Sequence, residues 1–431
     1  MWGRKKFAVW ILMFLTSSAF SDDARRHLPQ PLDSIYPQTE YTGSIVGLPY
    51  TNTNSQLNQA IWKMFPSLEQ QDIYVYGWLS PSYNRTSTNI TNLPLGFPFI
   101  SNDLEFDQGV VVIEKKVNTV QTEMMDVGFK LTNLYGLDYQ FTSMKGIFSN
   151  QISESLQNGY DPVEAFTQVY FPFIGQGSIL TVGRYLAPAD VEVPYTKYTT
   201  LVTHSLGFLY GAFTNAGFNL DTKMSDNWSF LVGMHYGSDM APWSISSEPA
   251  FQAFIHWISN DNNDSIWTGI DALNNGQSKS YHDNLQQFTW VWNHRFTPQT
   301  YFASEFYYEY QFNAHQGGNC SRLDIVGTNF LCGPLIPGLS SSISAMGQLQ
   351  HKWTEQDFTS FRMDYFNDFQ GQRTGYVTSY VTWTLGLTHI LDQFIKIRPE
   401  VRYGTSTSGT PYNSGQDHDF ILGLVDIVAS L

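Results

Sequence analysis

From residue 72 onward, apolar and polar positions alternate. Ile395, Ile397, Pro399, Val401 and Tyr403 interleave with Lys396, Arg398, Glu400 and Arg402, so one face is apolar and the other densely charged. Val377, Val381, Trp383, Leu385 and Leu387 interleave with Thr378, Tyr380, Thr382, Thr384 and Thr388. Phe302, Phe306, Tyr308, Tyr310 and Phe312 interleave with Glu305, Tyr307, Glu309 and Gln311. Successive side chains of a strand point to opposite faces, so each segment predicts a two-faced strand. Strands of soluble proteins average about 5–6 residues. Several here run near ten, the length a tilted strand needs to cross a bilayer. Their outward sets are rich in Trp, Tyr and Phe, as in the girdles of membrane barrels. A soluble sandwich or propeller shares the period, but would show shorter strands and a less aromatic second face.

The connections sharpen this picture. Long gaps near 83–103, 139–164, 187–212, 238–248, 274–283, 313–341, 368–376 and 405–417 alternate with short ones near 117–124, 174–177, 223–227, 260–263, 295–298, 352–356 and 390–393. Outer-membrane barrels combine short periplasmic turns with longer outside loops. The expected fold is therefore all-β: a closed antiparallel transmembrane β-barrel of about 16 strands over 72–431, with 14 and 18 as alternatives. Residues 22–71 do not alternate. They carry Pro29, Pro31 and Pro37, then a segment in which Leu57, Ile61, Met64 and Phe65 share a helical face. This predicts a short amphipathic helix that plugs the barrel or sits at its periplasmic mouth, with a flexible linker as the alternative. The last face, Ile421, Gly423, Val425, Ile427, Ala429 and Leu431, runs to the final residue. Closing strands of this kind often end in an aromatic, and Leu431 departs from that.

Arg4, Lys5 and Lys6 precede an apolar run, Phe7 to Leu15, and then small residues with Ala19 and Ser21 at the positions before a cut. This is an export-signal pattern, with cleavage expected after Ser21. A nine-residue run is too short to span a membrane, which takes about 20. No later stretch reaches the roughly 18 apolar residues of a membrane helix. Charged residues make up only 14% of the 431 and aromatics 16%, the reverse of a disordered chain. The formal charge of −15 becomes −18 once Arg4, Lys5 and Lys6 are removed. Phosphate binding needs a basic face, so nucleic acid is excluded as a partner. Two cysteines are too few for a disulfide scaffold or a four-cysteine zinc site.

Several phrases then carry a resemblance. They include YGWL at Tyr76–Leu79, FDQ at Phe106–Gln108, VQT at Val120–Thr122, GFKLTNLYGLDY at Gly128–Tyr139 and GYDPVE at Gly159–Glu164. VGRY at Val182–Tyr185, DMAPW at Asp239–Trp243, IPGLS at Ile336–Ser340, QRTG at Gln372–Gly375 and RPEVRY at Arg398–Tyr403 continue the series in order. In these the chain resembles the putative β-barrel porin-2, OmpL-like family of Gram-negative outer-membrane proteins. The resemblance implies a membrane barrel with a porin role and supplies no catalytic residues.

The candidate chemistry lies on the inward faces. Asp126, Lys130, Glu305, Glu309, Arg362, Asp364, Lys396, Arg398, Glu400, Arg402 and Asp426 are expected to line the pore, because Arg or Lys facing lipid at the midplane costs about 2–4 kcal/mol. They can also pair with one another across the wall. The rows on the segments near 357–367 and 394–404 are expected about 10 Å apart across a threonine strip, a gap that Arg side chains partly span. Cys320 and Cys332 lie in one outer connection and are expected to pair as a disulfide in an oxidising compartment. An enzyme is not expected: Thr203-His204-Ser205 puts His and Ser on adjacent positions, and no Gly-x-Ser-x-Gly or His-Glu-x-x-His motif occurs. Asp161 and Asp239 sit in Gly- and Pro-rich phrases that suit loop structure or calcium. No cofactor or metal is expected. Expected partners are outer-membrane lipids, small polar solutes or ions and the barrel-assembly machinery. The leading reading is a water-filled diffusion pore in the bacterial outer membrane. A plugged barrel serving as surface adhesin or structural protein comes second, and an outer-membrane hydrolase third.

Overall fold

The computed structural model describes residues 55–431 except 96, 155, 189, 245–246, 279–283 and 318–332. The proposed signal segment, Cys320 and Cys332 lie outside the described residues. Sixteen strands form one closed barrel in which each strand pairs antiparallel with the next and the last with the first. They are β1 Tyr74–Thr86, β2 Leu104–Lys115, β3 Asp126–Gly136, β4 Gly159–Phe171, β5 Ser178–Leu186, β6 Thr214–Lys223, β7 Trp228–Ser238 and β8 Ala250–Ile258. Then follow β9 Asp264–Leu273, β10 Gln286–Thr297, β11 Thr300–Phe312, β12 Leu339–Lys352, β13 Asp357–Asp368, β14 Thr378–Ile390, β15 Ile395–Ser406 and β16 Asp419–Ser430. The expected strand count and the long–short alternation of connections both hold.

Exposure follows the period of two. On β13, Phe361 and Met363 are exposed to the outside while Arg362 and Asp364 are buried within. On β15, Val401 and Tyr403 face out and Glu400 and Arg402 face in. A one-residue slip would exchange these sets, so the lipid-facing requirement fixes the register.

One strand starts earlier than its residues suggest. β4 takes in Gly159 to Glu164, which the alternation assigns to the preceding loop. The register shift between Thr132 and Leu134 makes a bulge of Pro162 and Val163, two residues facing the single Asn133 of β3. Proline has no N–H to give a ladder and is tolerated at such a bulge.

At the turn end of the barrel, α1 (Gln56–Met64) matches the expected helix. Ser55 caps it, accepting from the Asn58 amide at 3.2 Å. Asn58 in turn accepts from the Val75 amide at 2.8 Å, Trp62 donates to the Ile73 carbonyl at 2.7 Å, and Ser55 donates to the Leu431 carbonyl. The helix therefore sits at the mouth, over the join of β1 and β16. Its apolar arc is only half covered, and Met64 and Phe65 remain exposed.

The barrel interior is filled. The β1–β2 connection and the β5–β6 connection, residues 187–213, turn inward. Leu93, Leu95, Phe97, Phe99, Leu206, Phe208 and Phe213 pack against wall residues Phe366, Tyr380, Phe420 and Leu422. The sequence reading places 187–212 among the outside loops. The structure corrects this: the segment's apolar residues find their burial inside the barrel.

Candidate functional site

The site is the contact between the inserted segment and the wall formed by β11 to β16. Its path begins where Arg184, near the end of β5, clamps Asp161 of β4 with two bonds of 2.6 and 3.0 Å and reaches the Pro162 carbonyl at 2.8 Å. Asp161 thus serves the fold. Asp239 does likewise, accepting from the Thr214 amide at 2.9 Å and the Thr214 hydroxyl at 3.0 Å.

Beyond β5 the segment runs past the charged wall, which grips mostly its backbone. Lys396 donates to the Thr196 and Lys197 carbonyls, both at 2.8 Å. Arg398 donates to the Thr199 carbonyl at 2.8 Å and the Leu201 carbonyl at 2.9 Å, and also pairs with Asp426 at 2.9 Å. Glu400 accepts from the Val202 amide at 2.6 Å, the Thr203 amide at 3.3 Å and the Thr203 hydroxyl. Arg362 donates to the Thr203 carbonyl at 2.6 Å, and Arg402 to the His204 carbonyl at 2.7 Å. Thr200 adds a neutral hub, bonded to Gln348, Gln350 and Ser360 at 3.2, 3.1 and 2.9 Å.

The segment supplies two acids of its own, Asp190, which accepts from the Glu192 amide at 3.0 Å, and Glu192. Glu192 accepts from Arg362 at 2.9 Å and from the Ser205 amide at 2.8 Å. Glu305 sits one link further on, accepting from the Ser205 hydroxyl and the Val191 amide, each at 3.2 Å. Ser205 also caps the short helix α2 (Leu206–Tyr210). His204 bonds the Val193 carbonyl at 2.9 Å and lies between the rings of Phe97 and Phe208. Burial pushes its imidazole down to about 4, so it stays neutral at pH 7. Neither residue presents a nucleophile–base pair, because each side chain is bonded elsewhere.

All eleven expected wall residues point inward. Ten are buried, from 0% exposure for Arg362 and Arg402 to 7% for Lys130. Asp126 differs: it begins β3 at the turn end, pairs with Lys115 at 3.0 Å and keeps its side chain 28% exposed. Lys130 pairs with Glu164 on β4 at 2.9 Å. Glu309 accepts from Ser342 at 2.8 Å. The expected approach of the β13 and β15 rows is present, with Arg402 Nη2 3.5 Å from Asp364 Oδ2 and 3.2 Å from Thr382 Oγ1 on the strand between. Sequence reasoning missed Glu192, Thr200, Gln348 and Gln350. The first two lie in a segment taken as external, and the amides lack a charge to mark them.

Buried carboxylates outnumber buried Lys and Arg among the described residues, sixteen to eight. Between the segment and β12 a cavity of about 50 Å³ remains, lined in part by Thr200, Gln348 and Gln350. That space suits a water or two. No group of three or more His, Cys, Asp or Glu among the described residues is placed to hold a metal.

A model of the family described as putative beta-barrel porin-2, OmpL-like, matches residues 72–431. No protein among the curated ones matches. In fold, the chain is similar to the outer membrane channel DcaP of Acinetobacter baumannii, with a TM-score of 0.51, 9% identity, and coverage of 83% of this chain and 97% of that one. It is equally similar to Salmonella typhi OmpF, solved in complex with daunomycin, with a TM-score of 0.51, 12% identity and the same two coverages.

Proposed function

This chain belongs to the putative beta-barrel porin-2, OmpL-like family, and from that premise we propose how its outer-membrane porin barrel handles solutes. The inserted segment 187–213 narrows the passage, and Arg362, Asp364, Lys396, Arg398, Glu400, Arg402 and Asp426 form the wall that small polar solutes meet once the segment shifts. The single observation that carries this reading is the grip of that wall on the segment's backbone from Thr196 to His204. Opposed charges at a constriction orient polar solutes, and the net sign sets ion preference. With carboxylates in twofold excess inside, cations are favoured over anions.

The extent of filling supports a second reading, a barrel that stays plugged and serves a structural or surface role. Refolded protein in a planar bilayer separates the two. The porin reading expects discrete conductance steps and, in a salt gradient, a reversal potential of cationic sign. Silence over long recordings of correctly folded protein overturns it in favour of the plugged barrel. The first 21 residues are proposed to direct export, and a mature chain starting at Asp22 tests that.

A further inference from the structure

Three histidines occupy equivalent places on the outside of the barrel. His294 is on β10, His351 on β12 and His389 on β14. Each points outward, because its neighbours Asn293, Gln350 and Thr388 are buried within. The register steps them evenly: His294 lies opposite Phe302 of β11 and His351 opposite Thr300, then His351 opposite Thr359 of β13 and His389 opposite Asp357, the same two-residue offset toward the turns each time, as tilted strands require of positions at one level. All three lie close to the short turns.

The row marks an edge of the apolar band. On β14 the outward set runs from Ser379 through Val381, Trp383, Leu385 and Leu387 to His389. Ten residues at about 3.4 Å each, tilted by about 40°, rise about 26 Å, close to the roughly 25 Å band of an outer-membrane barrel. Ser379, bonded to Tyr365 at 3.2 Å, stands at the far edge. Aromatics flank the row as they do at headgroup level. Phe296 lies 4.5 Å from His294, and Trp353 lies 4.4 Å from His351.

Each ring uses Nδ1 within the protein. His294 bonds Asp264 at 2.8 Å, His351 bonds Thr300 at 2.9 Å, and His389 bonds Asp357 at 2.7 Å. That leaves Nε2 for the surroundings, and the His294 and His389 side chains are 25% and 40% exposed. Successive rings sit two strands apart, about 10 Å, so no two can share one ion.

We propose that His294, His351 and His389 form a pH-dependent belt that binds the phosphodiester headgroups of phospholipids in the periplasmic leaflet. A protonated imidazole donates from Nε2 to a phosphate oxygen, a charge-assisted bond. Each imidazole that takes up a proton adds one positive charge to the belt. On the belt's own face Asp264 is bonded to His294 and Asp357 to His389, with Glu355 and Asp392 in the adjoining turns, while Arg295 and Lys352 belong to the inward set with their buried partners Tyr301 and Phe358.

Native mass spectrometry of the detergent-solubilised barrel, titrated with phosphatidylglycerol at pH 5.5 and 7.5, tests this. Retention should rise at the lower pH, by about fivefold for each cation at the lipid surface. A triple His→Gln variant should lose that rise, and a triple His→Arg variant should retain lipid at both pH values. Equal pH dependence in the Gln variant overturns the proposal. So does equal binding of diacylglycerol, which lacks the phosphate, or full competition by millimolar inorganic phosphate, which would mark a free-anion site. If the Gln variant does not fold, pH-independent retention by the Arg variant supports the belt, and pH-dependent retention overturns it.

Discussion

Arg402 on β15 reaches Asp364 on β13, 3.5 Å away, across the full width of β14. Two strands that share no backbone hydrogen bond are thereby tied from inside, and both ends of the tie hold the inserted segment. Arg402 meets the His204 carbonyl at 2.7 Å, and Asp364 approaches the Leu206 amide at 3.4 Å. Replacing Arg398 and Arg402 together by Gln should loosen the segment while the barrel still assembles. Removing one partner of a buried pair costs about 3–5 kcal/mol. Conductance should rise and the reversal potential should move further toward cations. Unchanged selectivity with normal current would place this wall off the conducting path.

Thr200 and Ser360 offer a direct lock. Their hydroxyl oxygens are 2.9 Å apart, one on the segment and one on β13. A Thr200→Cys, Ser360→Cys double variant should form a cross-link under oxidation. Single-channel current should fall on oxidation and return with reductant. Constant current across both states would show that the segment need not move.

His204 makes the segment's seat sensitive to acid. Its imidazole ordinarily titrates near 6.5 and is pushed down to about 4 by burial. Between those values the released state binds the proton and the seated state does not. Seating therefore weakens as pH falls from about 6.5 to 4 and levels off below, by about 3 kcal/mol at most. Channel activity should rise over that interval. His204→Phe, which keeps the stack with Phe97 and Phe208, should flatten the rise.

Leu385 reports the lipid face. It projects from the middle of β14 and is 54% exposed. Leu385→Arg should destabilise the barrel by about 2–4 kcal/mol in vesicles. A neighbouring polar exchange on the inward face, Thr384→Ser, should cost far less. Denaturant titration of folded protein in vesicles measures both.

The two cysteines give a chemical test. Protein from the periplasmic route should resist maleimide until reduced, since bridging Cys320 and Cys332 closes a short loop. Such a closure contributes about 3 kcal/mol to local order in the chain-entropy model. Full labelling without reductant would show two free thiols.

The barrel was readable because its two solvents are so different. Phe361 beside Arg362, or Val401 beside Arg402, leaves one assignment of inside and outside. Helix α1 was readable from its apolar arc, with the mouth as one of two seats, but the strands it meets were not, because Asn58 and Trp62 are bonded to backbone atoms of residues 73–75. The inserted segment escaped for a related reason. It meets the wall through its own backbone carbonyls and amides, which leave no pattern in its side chains. One signal was present: Leu201, Val202, Leu206, Phe208 and Leu209 give this connection more apolar surface than a loop in water would carry. Wall residues such as Arg362 were correctly turned inward, yet what they face could not be read from their own strands.

The wall's preference for backbone atoms has a consequence for how this segment can change. Five charged side chains address six carbonyls and two amides between Thr196 and His204, groups that nearly every amino acid offers alike. The cradle therefore recognises a path rather than a text. Side chains along that path that touch neither the wall nor the core can be exchanged without unseating it, whereas one inserted residue would put every carbonyl out of step. In an engineered or diverging barrel, substitutions here should be tolerated far better than changes of length, so that the segment can acquire new solute contacts on an unchanged mount.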